Sequence, residues 1–199
     1  MLTWRQVLRQ GDLFVDVGAN VGSYAIWAAE LGAEVIALEP AEDTYALLVE
    51  NIVLNGYQVE AIQAAAGAVC GTARFTRGLD CVNRLDPRGS VQAPMVVIDM
   101  VTVDSLIGNR AVAGMKVDVE GFEIDVLRGC ERALSEHRIG LIQLEWNSAS
   151  REAVGADRSS VAELLARYGY SLYRPGRDGA LVPLSDLGFG PDVFAHPAP

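Results

Sequence analysis

Histidine is scarce in this chain of 199 residues: there are two, His137 in a polar helix-end segment and His196 in the tail. Neither stands where a central general base would be expected. Cysteine is also thin and oddly counted. Cys70, Cys81 and Cys130 form no C-x-x-C spacing and no even set, so neither a zinc site nor a complete disulfide framework is indicated. Reduced structural thiols in a cytoplasmic setting are the expectation. Positive charge is short as well, 16 Lys and Arg against 26 Asp and Glu for a net charge of −10, which argues against a broad grip on nucleic-acid phosphates. The expected partner is a small-molecule acceptor. No uninterrupted apolar segment approaches the roughly 20 residues that cross a bilayer. The first residues lack an apolar core followed by a small-residue cleavage site, so 1–12 reads as a short amphipathic helix and nothing demands a membrane.

What is present is a chain half apolar, long enough for one α/β domain over 1–199 with a well-buried core. Apolar runs and helical spacing alternate through the first third. Phe14–Val17 reads as a strand, Ser23–Leu31 as a helix closed by Gly32, Glu34–Leu38 as a buried strand, Asp43–Leu54 as a helix ended by Gly56, and Val59–Ala65 as a third strand. This βαβαβ order implies parallel strands and right-handed crossovers. Residues 67–103 break the rhythm with Gly71, Gly78, Pro87, Gly89 and Pro94 and read as a hairpin and loop insertion. The parallel pattern resumes at Gly114–Val119, followed by a helix ending near Gly129 and a strand at Ile139–Glu145. A helix over Val161–Tyr168 and closing strands at Tyr170–Tyr173 and Val193–Ala195 complete the reading.

The strand-to-helix turn Asp16-Val17-Gly18-Ala19-Asn20-Val21-Gly22-Ser23 carries the first chemistry. Gly18 and Gly22 free the backbone to approach a ligand, and Asp16, at the carboxyl end of its strand, can accept from a cationic or hydroxylated group. A second acid, Glu39, ends the next strand before Pro40, where a ribose diol would be met. A dinucleotide would need an anion cradle at this turn. Asp16 suits an ammonium better, and together the two acids suit S-adenosylmethionine. The cofactor set is therefore Asp16, Gly18, Ala19, Asn20, Gly22, Ser23, Glu39, Pro40 and Ala65. A nicotinamide-dependent oxidoreductase, which shares this turn, and a catalytically idle binding protein are the alternatives.

Phe14–Tyr24 and Ala37-Leu38-Glu39-Pro40, with Leu48, Asn51 and Asn55 on the following helix, Thr102–Leu106, Lys116-Val117-Asp118-Val119-Glu120-Gly121-Phe122-Glu123 and Val126-Leu127-Arg128-Gly129, together resemble the FkbM family of S-adenosylmethionine-dependent methyltransferases. The likeness runs from about Phe14 to Glu145. It implies a class I, Rossmann-like fold: a mostly parallel seven-stranded sheet, helices on both faces, the last strand antiparallel. It also implies methyl transfer, usually to a hydroxyl oxygen of a small natural product or sugar. Ser148–Ser160 and Arg174–Gly190 match nothing in the family and are where acceptor choice is expected to lie.

In open α/β sheets ligands sit beyond the carboxyl ends of the strands, so Asp16, Glu39, Asp118, Glu120 and Glu145 should converge on one crevice. The catalytic candidates are Lys116, Asp118, Glu120 and Glu145, with Asp118 or Glu120 as base and Lys116 either acidifying a hydroxyl or pairing with an acid. Strand alternation would set Lys116, Asp118 and Glu120 on one face, which equally suits an ion pair that braces the crevice. Glu123 is expected to steady a helix start. Asn83 and Arg84 could touch an acceptor from the insertion. Asp118, Glu145 and Asn147 could hold Mg²⁺, although a metal-free mechanism is preferred. Trp146 could wall the acceptor pocket or fill the core.

Overall fold

The computed structural model describes residues 1–76, 85, 94–145, 158–187 and 192–198. Its main sheet is assembled from β1 (Leu13–Val17), β2 (Glu34–Leu38), β3 (Glu60–Ile62), β7 (Val112–Val117), β8 (Ile139–Glu145), β9 (Tyr170–Pro175), β10 (Leu181–Pro183) and β11 (Asp192–Pro197). The order across it is β10-β9-β11-β8-β7-β1-β2-β3. Strands β3, β2, β1, β7 and β8 run parallel, and β11 runs antiparallel between β8 and β9. These seven have the expected arrangement. An eighth, β10, extends the edge antiparallel to β9, and its Pro183 and the facing β9 end at Pro175 suit an edge, where a missing ladder donor costs little.

Helices cover both faces. On one, α1 (Leu2–Val7), α2 (Ser23–Glu30) and α3 (Glu42–Asn55) bury Trp4, Ala25, Ala28, Leu48 and Ile52 against Phe14, Val35, Ala37, Leu141 and Phe194. On the other, α4 (Val103–Ile107), α5 (Glu123–Arg128), α6 (Glu131–Ser135) and α7 (Arg158–Arg167) bury Ile107, Val126, Leu127, Leu134 and Leu165 against Val15, Ile36, Met115, Val117, Ile142 and Leu144. Strand residues alternate between these two cores, which is why the central strands read as continuous apolar runs.

Several boundaries differ from expectation, each for a local reason. The first helix stops at Val7, because Leu8 turns extended and the Asp12 carboxylate accepts from the Arg9 amide to close a turn through Gly11. The third strand is cut in two: β3 pairs with β2, then a tight turn at Ala64 sends β4 (Ala65–Ala66) into a second, three-stranded sheet with β5 (Gly71–Thr76) and β6 (Met95–Val101). The β5–β6 hairpin is the regular part of the insertion. Its exit is helical: Thr102 caps α4, its hydroxyl oxygen accepting from the Ser105 amide at 3.1 Å. Past Gly129 the chain also forms α6, absent from the sequence reading.

Cys70 is exposed and Cys130 buried, and both are free thiols; Cys81 lies outside the described residues. Among the described residues no helix is long and apolar enough to cross a membrane.

Candidate active site

One row of the main sheet holds three polar side chains. The register sets Asp16 on β1 beside Lys116 on β7, and Lys116 beside Gln143 on β8. All three are buried, on the face that α1 and α2 cover. Above the row, at the carboxyl ends of β1, β2, β7 and β8, opens a cavity of about 410 Å³, within the range of small-molecule sites. Gly18, Ala19, Asn20, Ser23, Glu39, Pro40 and Ala65 line it, as do Lys116, Asp118, Glu120 and Glu145. Asp16 and Gly22 do not. Both are buried next to lining residues of the same turn.

The surrounding protein already requires glycine at both turn positions. Gly18 has φ +77°, and a Cβ there would strike the Asp118 carbonyl oxygen where β7 ends. Gly22 has φ +93°, and its Cβ would lie 2.6 Å from Leu48 Cδ1 of α3. The dihedral disfavours an L side chain at both positions, and at Gly18 the rigid backbone contact excludes one outright. Asn20, at φ 52°, completes the left-handed turn and turns its amide onto Glu39.

Glu39 is held by backbone alone: Oε2 accepts from the Asn20 amide at 3.0 Å and Oε1 from the Ala41 amide at 2.9 Å. Burial raises its carboxyl, and those two amides oppose the rise. Each oxygen keeps a second lone pair for a hydroxyl in the cavity. Asp16 is wholly buried and neither of its oxygens makes a well-formed hydrogen bond, although the Ala25 amide helps to lower its carboxyl. Burial pushes it up to about 6, against the pull of Lys116, whose Nζ lies 4.0 Å from Oδ1.

Lys116 donates to Asp118 Oδ2 at 2.8 Å and sits 4.9 Å from the centre of the Tyr24 ring. Burial pulls its pKa down, but Asp16 and Asp118 outweigh that, so it stays protonated. Lys116 is a donor, never a base, at neutral pH. Asp118 and Glu120 lie past the end of β7 at Val117, so strand alternation does not orient Glu120. A left-handed turn at φ 54° does. One oxygen from each of Asp118, Glu120 and Glu145 lies within 4.8 Å of the others, a spacing that could also hold a hard cation. Asn147, expected among the metal ligands, lies outside the described residues, as do Asn83, Arg84 and Trp146. Glu123 steadies the turn before α5, accepting from the Gly121 amide at 3.1 Å.

The histidines stand apart. His137 Nε2 contacts the Tyr168 carbonyl oxygen at 2.8 Å, and His196 pairs with Ser171 at the far end of β11 from Glu145. Sequence reasoning missed Tyr24, Thr44, Phe75, Leu85 and Phe122, which line the cavity, and Gln143 beneath it. A single neutral polar side chain in the apolar run of β8 was the readable sign of Gln143. Asp192 was not readable: it reaches the site because β11 pairs it with Glu145, and burial and Asp118 raise its carboxyl while Lys116 and the Gln143 amide lower it.

A parallel sheet with one inserted antiparallel strand and a cavity over its carboxyl ends, floored by a glycine turn and an acid on the second strand, defines a class I methyltransferase fold. Solved structures share it. The precorrin-6y C5,15-methyltransferase of Geobacter metallireducens GS-15 aligns with a TM-score of 0.54 at 14% identity over 98% of this chain and 86% of its own. An rRNA methylase from Streptococcus thermophilus gives 0.53 at 16% over 98% and 91%. The methyltransferase FkbM domain model matches residues 16–172, and the chain belongs to that family. The match reaches into β9, beyond the residues that first suggested it. The hexuronic acid methyltransferase AglP of Haloferax volcanii is 27% identical over 163 residues, 79% of this chain; the chain spans 62% of that relative's length.

Proposed function

We propose that this protein methylates a hydroxyl oxygen of a small, sugar-like acceptor with S-adenosylmethionine as donor. The observation that carries the reading is the meeting, over one cavity, of an amide-held acid on the second strand and three carboxylates beyond β7 and β8. Glu39, with acceptor capacity left after its two amide bonds, fits a ribose diol. Lys116 is the one basic side chain among the described residues lining the cavity, and Asp118 engages it, so a pyrophosphate would find no counter-ion at the turn. That favours a sulfonium cofactor over a dinucleotide.

When bound, the cofactor supplies an electrophilic methyl group. The chain's task is to hold an acceptor hydroxyl in line with that methyl and remove its proton. Lys116 donates to one oxygen of Asp118 at 2.8 Å, which assigns Asp118 to orienting the lysine. Glu120 is the base in this proposal, with Glu145, one of whose oxygens lies within 4.8 Å of a Glu120 oxygen, directing the hydroxyl. Phe75 and Leu85 present an apolar wall suited to the carbon face of a sugar ring. The sugar class follows from the Haloferax relative's substrate, a hexuronic acid.

The test is methyl transfer from labelled S-adenosylmethionine to a panel of hydroxylated sugars, with and without chelator. A mass gain of one methyl on a hydroxyl, lost by roughly 10²–10⁴-fold in rate in Glu120→Gln, is expected. Transfer at the wild-type rate in that variant would move the base to Asp118 or Glu145. Loss of transfer with chelator, restored by Mg²⁺, would make the carboxylates a metal site.

A further inference from the structure

A chain of hydrogen bonds runs from α1 to the cavity, and its direction is fixed at its first member. The Trp4 indole is wholly buried, wedged over Gly114, where a Cβ would come within 2.5 Å of it, and packed edge-on to Phe14 at 5.2 Å and Phe194 at 5.8 Å. Its Nε1 lies 2.6 Å from Gln143 Oε1. An indole nitrogen can only donate, so the group facing it must be the amide oxygen, and the amide NH₂ must point the other way. There Nε2 lies 3.2 Å from the Tyr24 hydroxyl. An NH₂ group can only donate, so Tyr24 oxygen accepts. The Asp192 carboxyl, which the same amide lowers by a hydrogen bond, agrees with this polarity.

The hydroxyl proton of Tyr24 therefore cannot be used toward Gln143. Among the described residues its oxygen's hydrogen bond is the one it accepts from Gln143, and Tyr24 lines the cavity. Under its ring stands Lys116, whose ammonium makes this corner electropositive. We propose that Tyr24 is a ligand-binding residue whose hydroxyl donates to an oxygen of the molecule in the cavity, and that Trp4 and Gln143 are positioning residues that keep the donor turned inward. The inference rests on the methyltransferase reading of the cavity. The oxygen it serves belongs to the carboxylate at the cofactor's amino-acid end or to the acceptor.

Calorimetry with S-adenosylhomocysteine and with 5′-methylthioadenosine, which lacks the amino-acid end, separates these sources when done on wild type and Tyr24→Phe. If the carboxylate is held, Tyr24→Phe weakens S-adenosylhomocysteine about tenfold or more and leaves 5′-methylthioadenosine unchanged. If the acceptor is held, both affinities stay and the acceptor KM rises by a similar factor with little change in kcat. Gln143→Met, which keeps bulk and frees the hydroxyl to rotate, should reproduce part of the loss, and Trp4→Phe should do so by letting the Gln143 amide turn and take the Tyr24 proton itself. In the Trp4→Phe background, Tyr24→Phe should then add little, a coupling that loss of packing would not produce. Tyr24→Phe protein equal to wild type in both affinities and in acceptor KM overturns the inference alone. Wild-type protein that binds neither compound overturns the reading of the cavity and this inference with it.

Discussion

On the β1–β2 side of the cavity the reactive geometry is set by backbone: Glu39 hangs from two amides, and the turn below it depends on Gly18 and Gly22 having no side chain. On the β7–β8 side it is set by side chains, with Lys116 bound to Asp118 and lying under the Tyr24 ring, and Gln143 aligned by Trp4. A backbone-built half serves any ligand that carries the same common fragment. A half built from side chains can be retuned one residue at a time.

The comparison is broken most severely at the point where the halves touch. Gly18→Ala would force a Cβ into the Asp118 carbonyl at positive φ, and should cost about 3 kcal/mol or more of stability from strain and overpacking combined. Urea unfolding reads this directly; a loss below about 1 kcal/mol would mean the end of β7 yields, and the halves are not rigidly joined.

Asp16 sharpens the comparison from beneath. In the folded protein it keeps its proton up to about 6, against an ordinary 3.8. The folded state thus binds more protons than the unfolded chain between those values, and stability from this group falls as pH rises through that window, then stays level. The fall is up to about 3 kcal/mol. Asp16→Asn should remove it, so the difference between variant and wild-type unfolding free energies should grow from pH 4 to 6.5. Parallel curves would mean that Lys116 already neutralises Asp16 in full.

The smallest effect expected is on the cofactor side. Glu39→Gln should weaken S-adenosylhomocysteine by about 1–3 kcal/mol, because one amide donor loses its charged acceptor and the diol loses its partner. The rate at saturating cofactor should hold. A variant that binds normally but turns over slowly would erase the proposed division of labour.

The same division explains what could be read without coordinates. The turn from Asp16 to Ser23 and the acid Glu39 are contiguous stretches whose residue types follow from local backbone needs, so the β1–β2 side was legible, and so was the parallel core around it. Even there, one reason for the glycines was not: a sequence cannot show that a side chain at Gly18 would meet the Asp118 carbonyl. On the other side, Lys116, Asp118, Glu120 and Glu145 were visible as acids and a base at strand ends. Tyr24 against Lys116, Gln143 between Trp4 and Tyr24, and Asp192 beside Glu145 come from register between strands and from helices laid across them, which no spacing encodes. The splitting of the third strand into β3 and β4 was hidden for a related reason, since one apolar run can serve two sheets.

Three strand ends are stitched at a single point: the Gly18 and Ala19 amides both donate to the Leu38 carbonyl, at 3.0 and 2.9 Å, and the Asp118 amide donates to the Val17 carbonyl at 3.0 Å. Mechanically this makes the seam between the two halves a keystone instead of a hinge. The Asp118 amide, though it belongs to a loop at the mouth of a cavity, should exchange its hydrogen as slowly as amides in the middle of β1.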